Sequence, residues 1–347
     1  MASLLPEIFV PAFEMTVDDQ PLELDIARRI TEISVTQHIS PPNQFSFRFY
    51  DPLLPTITTA EGPFTEGTQV AISMGYVDDL QPVITGEITS LTADFSDHAP
   101  PTVQVEGYDL LTRLTRGTTY RWFEEPDSAI VKTIAGEMEL TPDVDATPAR
   151  IGRRAQNGVT NLKMLEDLAK ANNFFFWVDG QTLFFKKQRP APGTVQLEYG
   201  KTLISFSARL NLVGQVEAVR VRGWDEVQKQ EISGRAERPP SDLSLLSPSG
   251  QQQIALGAGG QSELLVQETN IASEQEAKTM AEGLMAEQRN TLLTGQGVSV
   301  GHPDIHVGTE LELIGIGRFD GTYTVGQVTH TINDSGYRTS FQVRRKW

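Results

Sequence analysis

Along the first third of the chain, apolar and polar residues alternate in short runs separated by turn residues, the pattern of a half-buried β-sheet. Phe45, Phe47 and Phe49 alternate with Ser46, Arg48 and Tyr50, which puts three phenylalanines on one face of a strand that Asp51-Pro52 then stops. Further strands are predicted at Gln69 to Tyr76, Val83 to Thr92 and Thr102 to Tyr108, all rich in Val, Ile and Thr. Residues 1–115 are therefore predicted to form one all-β domain, a barrel or a sandwich.

The period changes after Arg116. Asp127 is placed to cap a helix whose Ile130, Val131, Ile134 and Met138 share a face, and a second helix follows Thr160 with Leu162, Leu165, Leu168 and Ala169 as its stripe. Phe174 to Val178 and Leu183 to Phe185 flank Asp179-Gly180, a hairpin signal in which both central residues take positive φ. Residues 116–192 read as a small α/β insertion. A second β-domain is predicted over 193–347. It holds a long polar loop at 233–262 and a helix at 273–294, opened by a Ser273–Glu276 capping box and ended by Gly295. Near the C-terminus, Tyr323 and Val325 hand over to Val328, His330 and Ile332, a slip of phase around Gly326 that predicts a β-bulge. The fold class expected is mainly β with an α+β insertion: two β-domains and a small α/β domain.

Composition narrows the function. With 39% hydrophobic and 21% charged residues the chain reads as globular. No apolar run reaches the ~20 residues of a membrane span, and the start shows no secretory signal, so synthesis in the cytoplasm and no membrane insertion are expected. The absence of cysteine removes disulfides, thiolate nucleophiles and iron–sulfur clusters. Net charge is −16, and residues 1–112 hold three arginines, no lysine and seventeen acids, 3 − 17 = −14. Such a chain repels phosphate backbones, so specific nucleic-acid binding is not expected. Its acidic part suits a wall past which anionic cargo slides, or serves only solubility.

Candidate chemistry is sparse. Of His38, His98, His302, His306 and His330, only His302-Pro303-Asp304-Ile305-His306 is dense enough for a metal, and Pro303 makes it a polar turn instead. Gly315 to Gly321 lacks the spacing and the following helix of a phosphate loop and reads as turn glycines. No nucleophile elbow, phosphate loop or zinc-protease motif occurs. The aromatic block Phe174 to Trp177 with Phe184 and Phe185 reads as a hairpin packed on the Leu162 helix, not a ligand platform, and His330 as an inward, hydrogen-bonded histidine. No catalytic residue, cofactor or metal site is predicted. A carboxylate pair meeting in space, as in a cell-wall glycosidase, stays open on sequence alone.

The run Gly301-His302-Pro303, Gly308, Leu313-Ile314-Gly315, Gly317, Phe319, Gly321, Tyr323, Val325, Val328, His330, Gly336-Tyr337, Thr339 and Phe341 resembles the phage late control protein D family. Helices at 272–294 and from Leu162, and more loosely the Phe45 strand, match as well. That family forms the baseplate hub of contractile tails and is similar to the hub portion of VgrG-type spikes. The resemblance implies a homotrimer with two tube-like barrels per subunit, adapting a sixfold tail tube ring to a threefold spike within a baseplate. Because the chain stops after the signature, the spike is expected to be a separate protein. The resemblance implies no enzyme activity. Competing classes are a particle-associated carbohydrate-binding or wall-degrading protein, and a secreted adhesin.

Overall fold

The computed structural model describes residues 10–39, 42–50, 62–97, 100–148, 153–190, 193–225, 229–243, 245–255, 262–267 and 274–347. The Asp51-Pro52 stop, His98 and the Ser273 cap lie outside them. Two compact units emerge: residues 1–193 with 299–309 and 326–341, and residues 194–298 with 310–325 and 342–347. The chain is mostly β.

In the first unit the strands are β1 (Pro11–Val17), β2 (Gln20–Pro21), β3 (Ile30–His38), β4 (Gln44–Tyr50), β5 (Gln69–Tyr76), β6 (Asp79–Asp94) and β7 (Thr102–Asp109), with a short helix α1 (Leu24–Ala27) before β3. They run in the order β3–β4–β7–β6–β5–β1–β2, with antiparallel neighbours. The alternation read from the sequence decides which face is inside. Phe45, Phe47 and Phe49 are buried together with Ile33, Val35, Val103 and Val105. Neighbouring rings along β4 lie 6.4 and 6.3 Å apart, and Phe64 packs 4.9 Å from Phe47. Each such side chain contributes roughly 1.5–3 kcal/mol. Phe45 sits over its cross-strand partner Gly107, where an added Cβ would lie 2.2 Å from the ring. The opposite face is small and polar: Thr331, Ser34, Ser46 and Glu106 form one cross-strand row, and Glu32, Arg48 and Gln104 another. The acids of this segment sit mainly elsewhere. Asp18, Asp19, Glu66, Asp78 and Asp94 are exposed at turns and strand ends.

The remainder of this unit holds β8 (Thr119–Phe123), α2 (Asp127–Glu137), β9 (Thr141–Val144), β10 (Arg154–Val159), α3 (Asn161–Asn172), β11 (Phe175–Asp179) and β12 (Thr182–Lys186). Ile130, Val131 and Ile134 of α2 share a core with Leu165 and Leu168 of α3 and with Leu183 and Phe185. Thr160 caps α3 by accepting from the Lys163 N–H, and Asn173 closes it at φ 54°. Asp127 is not the cap expected of it. Pro126 holds that position, and the Asp127 carboxylate, one residue inside, accepts from Arg154 at 2.9 Å and Asn172 at 2.8 Å. The β11–β12 hairpin forms, but Asp179 pairs with Thr182 and keeps negative φ, so of the predicted pair only Gly180 is left-handed, at φ 54°.

The second unit contains β13 (Thr194–Glu198), β14 (Leu203–Leu210), β15 (Ala218–Asp225), β16 (Gln230–Glu237), α4 (Pro248–Ala255), β17 (Glu263–Gln267), α5 (Glu274–Leu292), β18 (Leu293–Val300), β19 (Glu310–Ile314), β20 (Gly321–Asn333) and β21 (Gly336–Arg345), the last residues of β18 and the middle of the β20–β21 hairpin belonging to the first unit. One sheet reads β14–β18–β21–β20–β19–β13, the other β16–β15–β17. α5 covers the second sheet, with Ala277, Ala281 and Met285 on Val219, Val221 and Ile232. Gly234 permits this approach, since a Cβ there would lie 2.2 Å from the Lys278 nitrogen. Among its described residues, the expected polar loop 233–262 contains the end of β16, a 3-10 turn at Pro240–Leu243 and α4. A buried charge orders it. Asp242, with no exposure, accepts from Arg289 of α5 and lies 3.7 Å from Arg238. Gly295 does not end the helix; α5 passes directly into β18 at Leu293.

The phase slip at Gly326 falls between the stretch of β20 paired with β19 and the stretch paired with β3. Pairing of β20 with β3 is unbroken from Gln327 to Ile332, and that with β19 from Gly321 to Thr324. Tyr323 and Val325 are buried within the second unit, Val328 and His330 within the first, so the covered face changes where the residues change unit.

Candidate functional site

The histidine-bearing segment 301–309 is where the sequence concentrates chemistry, and in the first unit it is fastened by a buried polar knot. His330 of β20 has no exposed surface. One ring nitrogen, Nε2, lies 2.9 Å from the Ile305 carbonyl, and Nδ1 lies 2.8 Å from the Tyr337 hydroxyl and 3.3 Å from that of Thr339. A carbonyl only accepts, so Nε2 carries the proton and Nδ1 accepts from Tyr337. Burial, with His306 and His302 nearby, pushes the His330 pKa down to about 3, and burial raises that of Tyr337. Both groups are therefore neutral at physiological pH.

Around this pair the backbone is pinned. The Tyr76 hydroxyl donates to the Gly301 carbonyl at 2.8 Å, the Gly301 N–H donates to Tyr337 O at 3.0 Å, and the His302 N–H donates to the Thr339 hydroxyl at 2.9 Å. Tyr76 and Tyr337 have ring centroids 5.7 Å apart. Gly301 lies under the Tyr337 ring, 2.1 Å from where its Cβ would fall. Gly301→Val is expected to cost about 1–3 kcal/mol by overpacking, measured by denaturant unfolding. Loss below about 0.5 kcal/mol would show that the ring moves aside freely.

The glycine run of the second unit also has a packing reason. Gly315 and Gly317 take φ of 86° and 70° in the turn before β20, and Gly321 takes φ 135°. A Cβ on Gly321 would strike the Arg345 guanidinium, which lies 5.1 Å over the buried Tyr323 ring. The Tyr323 hydroxyl donates to Phe319 O at 2.7 Å. Strands flank this turn on both sides and only a 3-10 turn at Gly317–Phe319 lies between them, so among the described residues it lacks the α-helix that follows a phosphate loop.

Of the metal candidates, Asp304 is exposed, His302 Nδ1 stands 3.6 Å from its carboxylate, and His306 is pushed down in pKa by burial. Among the described residues no group of three or more His, Asp or Glu could hold a metal ion. The aromatic block divides as an alternating strand requires, Phe185 and Val178 inside and Trp177 with Phe184 on the other face. Tyr76 was not singled out by sequence. It closes a strand with ordinary alternation, and only the fold brings it to Gly301.

Each of these glycines, aromatics and the histidine fills a packing or hydrogen-bonding need within its own unit. The model of the Alg8 N-terminal domain family matches residues 54–334. The chain belongs to that family. Its description names a domain and no reaction. No curated protein matches the sequence. Among solved structures, the 43 kDa tail protein of prophage MuSo2 from Shewanella oneidensis is similar with a TM-score of 0.71 at 14% identity, over 96% of this chain and 98% of that one. A tail protein from Neisseria meningitidis gives 0.69 at 13%, over 97% of each. An Escherichia coli protein, described as a component of the type VI secretion system with structural similarity to T4 bacteriophage tail proteins, gives 0.59 at 13%, over 96% of this chain and 77% of that one. The fold is thus the one seen in these tail proteins, as the C-terminal signature implies.

Proposed function

We propose that this chain is a structural hub of a contractile phage tail or phage-tail-like injection particle. The observation that carries the reading is the end-to-end likeness to a prophage tail protein, 96% of one chain on 98% of the other. Each compact unit supplies one tube-like barrel, so that three copies present six barrels to a sixfold tube ring above and a threefold face to a separate spike below. Division into two β-rich units supports this count. The small polar strand faces of the first unit suit a surface past which a cargo slides without sticking, and the exposed acids at its turns add a repulsive rim to anions. No enzymatic step is part of the role. Among the described residues no helix is long and apolar enough to cross a membrane.

The measurement is the mass of the purified chain in solution and in the presence of its tube protein. A trimer that caps tube rings is expected. A chain that stays monomeric at micromolar concentration and ignores the rings would falsify the hub reading.

A further inference from the structure

Three residues beyond β12, a cation without an ion-paired acid lies against the face of the β11–β12 hairpin turned away from its core. Trp177 and Phe184 are cross-strand partners with rings 5.0 Å apart and 6° from parallel, and the Arg189 guanidinium lies 5.1 Å over the Trp177 ring. Its stem passes beside Gly308, 3.9 Å from where a Cβ would be. Among the described residues no hydrogen bond or ion pair reaches this guanidinium; the indole is what holds it. His306 stands nearby, its pKa lowered by burial and by Arg189 while Asp304 and Asp179 pull it the other way. Burial lowers the pKa of Arg189, and no acid opposes the shift.

A half-buried cation without an acid is costly, and side chains of this kind persist where a partner completes them. Stacking uses the flat face of the guanidinium and leaves its in-plane N–H fork free, the geometry that grips a carboxylate through two parallel bonds. The surroundings define the rest of the partner. Phe175 is 44% exposed, two residues from Trp177 and on its side of the strand. Lys187 is exposed just past the end of β12. The run Lys186-Lys187-Gln188-Arg189 is basic within a chain of net charge −16. A nucleic acid would meet the repulsion of that whole charge; a short peptide meets Lys187, Arg189 and the exposed ring, Lys186 being already paired with Asp143 and Asp145.

We propose that this face docks an acidic segment of a partner polypeptide, one carboxylate of which is clamped by Arg189 over Trp177 while an adjacent apolar residue covers Phe175. The site does not depend on the hub reading.

The test is calorimetric titration of the full chain at low ionic strength with a short, end-blocked peptide of alternating Glu and Leu. Saturable binding is expected, weakened about tenfold or more by Arg189→Gln and several-fold by Arg189→Lys, which keeps the charge and loses the fork. Lys132→Gln, on the exposed side of α2, is expected to change little. Because the free cation is unpaired, the melting temperature of Arg189→Gln is expected to stay or rise. Absence of saturable binding, binding indifferent to Arg189→Gln, equal binding of an oligothymidylate of matched charge, or a clear drop in melting temperature would each overturn the proposal.

Discussion

Acidification from pH 7 to pH 4 is expected to destabilise the wild-type chain relative to a His330→Gln variant by roughly 3 kcal/mol. The folded His330 has its pKa moved from 6.5 to about 3, whereas the unfolded residue protonates near its ordinary value. Between those limits the unfolded state holds the extra proton, so stability is lost as pH falls through the window, at about 1.4 kcal/mol per pH unit. The variant cannot titrate there, so the difference between the two proteins isolates the residue. A difference that stays flat from pH 7 to pH 4 in urea unfolding would mean that the knot opens and hydrates its histidine without cost.

The unmutated protein alone would understate the effect. Asp109 is raised from 3.8 to about 6 by burial, held back in part by the N–H groups of Asn43 and Leu111. A raised carboxylate acts with the opposite sign: the folded state holds the extra proton between about 6 and 3.8, so its contribution to stability grows as pH falls. Asp109→Asn removes this opposing slope. The double comparison is therefore expected to show a steeper acid loss in Asp109→Asn than in the wild type.

The second large effect is in the other unit. Asp242→Ala is expected to cost about 3–5 kcal/mol, because it leaves the Arg238 and Arg289 guanidiniums with no acid between them. Asp242 is the acid that both approach: Arg289 contacts it through two hydrogen bonds, and Arg238, itself almost fully buried, also hydrogen-bonds Val216 O and Gln215. Limited proteolysis is the sharper readout, since cleavage should appear between Pro239 and Ala255 before the first unit unfolds. A variant as protease-resistant as wild type would show that α4 holds by apolar contacts alone.

How far these results were legible in advance depends on the range of the interaction. Phe45, Phe47 and Phe49 declared their inward face because a strand alternates with period two, and the Leu162 to Ala169 stripe declared α3 because a helix repeats every 3.6 residues. Thr160 announced its cap because the bond it makes spans three residues. Asp127 misled because a carboxylate at a helix start reads as a cap, and only Arg154 and Asn172, distant in sequence, claim it instead. The segment 233–262 misled for the same reason. Its Gly, Ser, Pro and Gln composition is that of a loop, while its order comes from one buried aspartate answering an arginine on α5.

Local periodicity and turn chemistry were thus enough to establish a mainly β chain with an inserted pair of helices, and the spacing of C-terminal glycines and aromatics was enough to suggest its kinship. Only the tertiary structure decided that Tyr76 meets Gly301, that β20 changes its buried face near Gly326, and that Arg189 stacks on Trp177 without an acid. Periodicity acts over a few residues and leaves its mark in order along the chain, whereas a buried contact joins residues whose separation in sequence carries no trace of their distance in space.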